Sequence, residues 1–396
     1  MTAPDGPAGP VRRLAGARLA SMIGTGAASA AIVYEVYALT GSALWITAVL
    51  ISTTAVSSVF LPFAGLLADT LGRRRVMIAS DCLAALCFAL LAVGWPAPAI
   101  VALAALAALA EAPFLPASAA AVPDLVGEDR LSWANGLLDA AANLGRAAGP
   151  ILAIPLLAFG DPRLVYGCNA ISFLVSAALV LSVPLRGSTR GREPHRRRWL
   201  AQGVRHIRGT PGIHLVLASS VAAYVTTSFA MVAEPVLADE FGAGVLGYNL
   251  MNAGWATGLV LGGWLAGRRL SAATEPRAML AGRLVMGTGM VAVPLTPWFA
   301  TVPPLMAVGG FGSGMLVVAV HSQLQRLSPD RIRGTIFALF EGAGTAAFLL
   351  GVLLAGFVVE HVGYRAAYVT AGVGTLVTAV PLYLNLARQR PDVSRL

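Results

Sequence analysis

Apolar runs of about 20 residues, separated by short polar stretches, dominate the chain from residue 17 onward. About 20 helical residues cross the roughly 30 Å hydrocarbon core of a bilayer. The pattern therefore predicts twelve transmembrane helices, near residues 17–39, 43–68, 75–94, 98–121, 133–158, 163–185, 213–238, 245–267, 277–298, 302–325, 334–358 and 364–387. An even number of spans puts both termini on one side. That side, with the N-terminal segment, the 2/3, 4/5, 6/7, 8/9 and 10/11 loops and the C-terminus, holds 24 of the 28 arginines, whereas the other holds only Arg163 and Arg365. By the positive-inside rule the Arg-rich side is cytoplasmic, and the asymmetry supports the count, since one missed span would invert every later loop.

The longest polar stretch, from Arg186 to Gly212, divides the spans six and six. Three parts are expected: a six-helix bundle over 1–185, a basic cytoplasmic linker over 186–212, and a second six-helix bundle over 213–396. Residues 198–208 suit either a short amphipathic helix on anionic headgroups or a solvated linker. The halves echo each other in "GLLADTLGRRR" after span two and "GWLAGRRL" after span eight, and in "PDLVGEDRL" after span four and "PDRIRG" after span ten. Two homologous bundles account for this, and such transporters bind substrate between halves near the midplane.

Composition agrees with an all-α integral membrane protein: 57% of residues are hydrophobic and 12% charged, with a mean hydropathy of +0.74. The net charge of +9 lies in short Arg clusters between apolar runs, which fits membrane topology better than a nucleic-acid surface. Lys is absent, consistent with codon bias in a GC-rich bacterial genome. The first apolar run, reaching Leu39, is too long for a signal-peptide core, so this segment is expected to stay in the mature protein. Cys82, Cys87 and Cys168 lack metal-ligand spacing and suit small packing residues. No GxSxG, HExxH, Walker loop or Cys/His cluster points to an enzyme, a cofactor or a metal.

Two motifs carry a resemblance. "GLLADTLGRRR" is similar to the loop 2/3 signature G-x-L-A-D-[RK]-x-G-[RK]-[RK] at Gly65, Leu67, Ala68, Asp69, Gly72, Arg73 and Arg74, with Thr70 replacing a base. "NGLLDAAANLGRAAGP" resembles the fifth-span antiporter signature at Gly136, Gly145, Gly149 and Pro150, with Ala153 and Ile154 in place of its final glycines. "QRLSPDRIRGTIFAL", from Gln325, looks like the loop 10/11 segment of the same exporters, although their Arg-bearing fourth-span signature has no counterpart. The chain thus resembles the major facilitator superfamily, and within it the drug:proton antiporters related to macrolide and enterobactin exporters. The resemblance implies that Asp69 meets the start of the eleventh span near Gly334. It also implies that Arg73 pairs with Asp124 at the cytoplasmic end of span four, contacts that would hold one state of a conformational gate.

Ionisable groups within a bilayer need a partner or a watery cavity. Glu35, Asp81, Glu111, Asp139, Glu234, Glu341, Arg146 and Arg283 fall within spans. Glu111 and Arg146 lie about 18 and 20 Å into spans four and five, near the midplane, and are expected to form an ion pair. Asp139, seven residues before Arg146, either pairs with it or lines the cytoplasmic mouth; Glu341 is its approximate repeat partner. Glu35 and Glu234 are near-equivalent in the outer thirds of spans one and seven. The resemblance places spans one, four, seven and ten around the cavity, so Glu35, Glu111 and Glu234 are candidates for proton or substrate binding. Asp81 and Arg283, at equivalent shallow positions in spans three and nine, are expected to snorkel or to pair between helices, and His321 to be a hydrogen-bonded structural residue. Tyr34, Tyr224 and Phe229 are candidate cavity aromatics.

The expected function is proton-coupled efflux of a small amphipathic molecule, such as an antibiotic, drug or siderophore, by a monomer in the bacterial cytoplasmic membrane. Uptake by the same fold, an intramembrane enzyme and a non-transporting sensor or scaffold are the alternatives.

Overall fold

The computed structural model describes residues 8–127, 130–157, 161–185, 196–329 and 332–388. Among them are fifteen α-helices and no strand. In chain order they are α1 Gly9–Thr40, α2 Ala43–Leu71, α3 Arg73–Leu91, α4 Ala97–Glu111, α5 Phe114–Leu125, α6 Leu131–Leu157, α7 Pro162–Leu181, α8 Arg196–Gly209, α9 Pro211–Glu240, α10 Gly244–Arg269, α11 Glu275–Ala292, α12 Val302–Leu327, α13 Arg333–His361, α14 Tyr364–Val377 and α15 Ala379–Arg388.

Ten stretches are long and apolar enough to cross a membrane, with α4 and α5 forming one and α14 and α15 another. The two remaining expected spans are α3 and α10, of 19 and 26 residues. Arg73–Arg75 and Asp81 raise the polarity of α3, and glycines dilute the hydropathy of α10.

The chain forms two compact units, Met1–Arg192 with Gly244–Leu250, and Glu193–Ala243 with Met251–Leu396. Their internal plans correspond. In the first, α1 packs against α6 and α7, and α3 against α7 and α4; in the second, α9 packs against α13 and α14, and α11 against α14 and α12. α8 docks on α13 and α9 within the second unit: Gly203 faces Thr335 and Leu339, and His206 Nε2 lies 3.0 Å from the Leu327 carbonyl. Arg205 and Arg208 point outward from it.

Small residues let these helices approach closely, which is how helices associate where lipid removes the hydrophobic drive. In α6, a Cβ at Gly149 would lie 2.6 Å from the Ile23 carbonyl oxygen and 2.7 Å from the Ala27 nitrogen, and one at Gly145 would lie 2.7 Å from Met22 Cβ. Pro150 is buried inside the same helix. Gly136 does not belong to this face, because open space surrounds it. Nine residues from Gly145 rotate it by about 180° at 100° per residue, onto the opposite side of α6.

Only a one-residue break separates α2 from α3, and Gly72 makes it with φ +88° and ψ 129°. A Cβ is poorly tolerated in that region. Gly72→Ala is expected to destabilise the protein by about 2 kcal/mol, read as a lowered thermal midpoint of the purified protein. An unchanged midpoint would show that the turn relaxes freely.

Candidate functional site

Pro113 interrupts the fourth span between α4 and α5, where a proline supplies no backbone donor. Side chains from neighbouring helices reach carbonyls around the break: Ser80 Oγ donates to Ala110 at 2.5 Å, and Arg18 Nη2 to Leu115 at 3.3 Å. Arg18 is 2% exposed. Its Nε and Nη2 donate to Ser118 Oγ at 3.0 and 2.6 Å, and its Nη1 lies 3.4 Å from Asp139 Oδ1. Arg18, Asp81 and Glu111 line one small pocket in the first unit, with Phe114 and Phe173 among its apolar walls. Glu111 accepts a hydrogen bond from Thr25 at 3.2 Å, whereas Asp81, 1% exposed, has an Oδ2 with no hydrogen-bond partner.

The Glu111–Arg146 ion pair expected from depth does not form. Arg146 is exposed and its Nη1 donates to Asn143 at 3.3 Å, within its own helix. Equal depth on consecutive spans does not orient two side chains towards each other, and here α1 supplies the cation of the pocket. Arg18 also takes Asp139, whose side chain is 73% exposed. Asp81 and Arg283 do not snorkel: α3 and α11 are each packed between two other spans, which leaves these residues 1% and 3% exposed.

Glu35 accepts a hydrogen bond from the buried Tyr166 at 2.5 Å and shares a pocket near the ends of α1 and α7 with Tyr34, Asp161 and Arg163. Tyr34 stacks on Tyr248 with ring centroids 6.2 Å apart. In the second unit Glu234 is 9% exposed, and none of the described residues hydrogen-bonds its carboxyl. Phe229, 6% exposed, is buried among the packed side chains of the second unit. Tyr224 does line a pocket of about 100 Å³, together with Arg283, His321 and Phe340. Glu341, 62% exposed, lies 3.9 Å from His321 Nε2.

Arg73 Nη1 lies 2.5 Å from Asp124 Oδ2, and Arg74 donates to the Leu181 carbonyl at the end of α7. Gly65 and Asp69 lie in α2, but their surroundings are outside the described residues, as are Asp330 and Arg331 of the 10/11 segment. The second unit holds a matching pair, Arg326 Nη2 to Glu275 Oε2 at 2.5 Å, with the signs exchanged.

Residues 14–268 and 215–395 match the family model of the Major Facilitator Superfamily, so nearly the whole chain is covered. The chain belongs to the major facilitator superfamily. Relatives of this facilitator include the multidrug efflux pump Tap of Mycolicibacterium fortuitum, 28% identical over 402 residues, which cover 94% of each chain. The enterobactin exporter EntS of Shigella boydii serotype 4 is 24% identical over 389 residues, 94% of this chain and 91% of that one. Among solved structures, a mutant of the peptide transporter POT aligns with a TM-score of 0.74 at 15% identity, over 96% of this chain and 94% of that one. A bacterial homologue of the human lysosomal transporter Spinster aligns with 0.69 at 13%, over 98% and 96%. These likenesses show the fold. The facilitator is a multi-pass membrane transporter, and its family and relatives are transporters, not enzymes.

Within the facilitator's own repeat lies a relation that the short motif echoes did not reveal. Arg73, Asp81 and Asp124 are each 202 residues from Glu275, Arg283 and Arg326, and all three positions carry the opposite charge in the second unit. Arg18, the buried cation of the first pocket, was also hidden from sequence reading: it follows Arg12 and Arg13 closely enough to count as cytoplasmic. The helical signal was nonetheless present, because the helix expected over 17–39 already contains residue 18.

Proposed function

We propose that this facilitator exports a small amphipathic organic molecule across the bacterial cytoplasmic membrane in exchange for protons. The observation that carries the reading is the pocket of the first unit, where two acids, Asp81 and Glu111, sit beside the buried Arg18. Both carboxyls lie within the bundle, neither pairs directly with a base, and one Asp81 oxygen is unpartnered. Carboxyl groups so placed can bind a proton while sealed from water and release it when water reaches them. Glu35, with its Tyr166 donor, Glu234 and the midplane Arg146 are further proton or cargo ligands, and Asp139 and Glu341 act at the cytoplasmic mouth. Gly65, Asp69, Gly72, Arg73, Arg74 and Asp124 form the cytoplasmic gate, in which the Arg73–Asp124 pair holds α3 against the end of α5. Alternating access by the two bundles, through the linker over 186–212, moves the cargo. Export as the direction draws support from the relatives, named a multidrug efflux pump and an enterobactin exporter.

Everted vesicles test this with a panel of amphipathic fluorescent dyes. Export predicts that dye accumulates inside when the vesicle interior is acidified, and that the accumulation collapses when the pH gradient is dissipated. Uptake by the same fold predicts depletion from the interior instead, and a sensor or scaffold predicts neither.

A further inference from the structure

The two pockets described above are the same pocket in the two halves of the repeat. Shifting by 202 residues carries Arg18, Asp81 and Glu111 onto Ser220, Arg283 and Ser313, and all three of the latter line the pocket of the second unit. Met22 and Leu115 likewise become Tyr224 and Val317, which also line it. Among the described residues the charged set of the first unit is two acids and one base; in the second it is Arg283, with His321 at the rim.

We propose that the pocket of the second unit binds the anionic end of a flat organic cargo, an arenecarboxylate or its close analogue, with the carboxylate on Arg283 and the ring beside Tyr224 and Phe340. The inference rests on the export reading above and names the chemistry of its cargo. Arg283 is 3% exposed, yet its guanidinium makes a single hydrogen bond among the described residues, from Nη2 to Ser220 at 3.4 Å, and its Nε makes none. Among the described residues no acid lines the pocket. A buried guanidinium without a counter-ion is costly, and a bound carboxylate, accepting from its fork of donors, removes that cost. Ser220 and Ser313 add hydroxyl donors, while Met286, Leu316 and Val320 supply apolar wall. At the rim, His321 donates through Nδ1 to the Val317 carbonyl, at 2.8 Å, and its Nε2 faces Glu341. Glu341 faces His321 at the rim and is not among the residues that line the pocket with Arg283.

The test is equilibrium binding to the purified full chain in detergent, read as a concentration-dependent rise in the thermal midpoint. The probes are 2-naphthoate, its neutral analogue 2-naphthamide, and acetate. Naphthoate is expected to stabilise the protein at a concentration at least about tenfold lower than naphthamide, as a charge-assisted hydrogen bond implies, and acetate is expected to give no shift. Arg283→Gln should abolish the preference for the acid, and Arg283→Lys, which keeps the charge without the fork, should retain part of it. Arg283→Gln removes an uncompensated buried charge, so its ligand-free midpoint should not fall. If that variant does not fold, Val317→Trp, which fills the pocket from an exposed rim position, should block naphthoate by itself. Equal responses to acid and amide, a shift from acetate matching that from naphthoate, or naphthoate binding undiminished in folded Arg283→Gln or in Val317→Trp would each overturn the proposal. Binding is measured without a membrane or gradient. Failure here therefore leaves gradient-driven dye export standing, and failure of export leaves this binding result standing.

Discussion

Everted vesicles carrying Glu111→Gln are expected to bring cargo to equilibrium but not to accumulate it when a pH gradient is imposed. Native vesicles exchanging one proton per cargo molecule, with the membrane potential clamped at zero, should accumulate it about tenfold for each pH unit, because one unit is worth about 1.4 kcal/mol. The substitution is close to isosteric, and the side-chain amide oxygen of Gln can still accept the hydrogen bond that Thr25 gives to Glu111. Folding should therefore survive while the exchangeable proton is lost. Asp81→Asn probes the same pocket from α3, and because the two acids line one pocket their titrations are expected to be coupled, so the double variant should add little to either single one. Cargo exchange down its own gradient should persist in all three. Undiminished uphill accumulation by Glu111→Gln would remove the acid from the coupling step.

Gly258→Leu is expected to leave little monodisperse protein after detergent extraction, with a destabilisation of about 3 kcal/mol or more from overpacking. In α10, Gly254, Gly258 and Gly262 recur every four residues, and a Cβ at each would strike the backbone carbonyl of Pro303, Ala307 or Phe311 in α12. Gly310 and Gly314 of α12 return the contact against the carbonyls of Trp255 and Leu259. Backbone meets backbone here, so no side-chain rotation relieves the clash. Gly149→Leu should behave similarly where α6 meets α1. Gly136→Ala is the control: its position is open, and replacing a helical glycine there should stabilise by about 0.4–1 kcal/mol. A similar loss for Gly136→Ala, or none for Gly258→Leu, would refute this account of the packing.

The glycines illustrate why the site was less legible than the fold. Gly136, Gly145, Gly149 and Pro150 stand out together as a sequence motif, yet helical rotation separates Gly136 from the others and leaves it outside the α1 contact. Gly254, Gly258 and Gly262 have the regular spacing of a close-packing stripe, and only the structure shows that its partner is α12. The charges follow the same logic. Depth along a span, read from residue count, put Glu111 and Arg146 at similar levels. The rotation of each helix then turned Arg146 outward and left Glu111 with Thr25.

By itself, the sequence determined the class of the protein. Twelve apolar stretches of membrane length and an uneven distribution of arginines leave a polytopic helical transporter as the consistent reading, because the cost of exposing peptide groups and charges to hydrocarbon is paid residue by residue along the chain. Tertiary structure decided which ionisable groups share a pocket: Arg18 with Asp81 and Glu111 in the first unit, and Arg283 without an acid in the second. It also showed that a pair such as Arg73–Asp124 recurs as Glu275–Arg326 with its polarity reversed. The physical reason is that hydropathy depends on local composition, whereas an ion pair or a pocket depends on the rotation and packing of helices far apart in sequence.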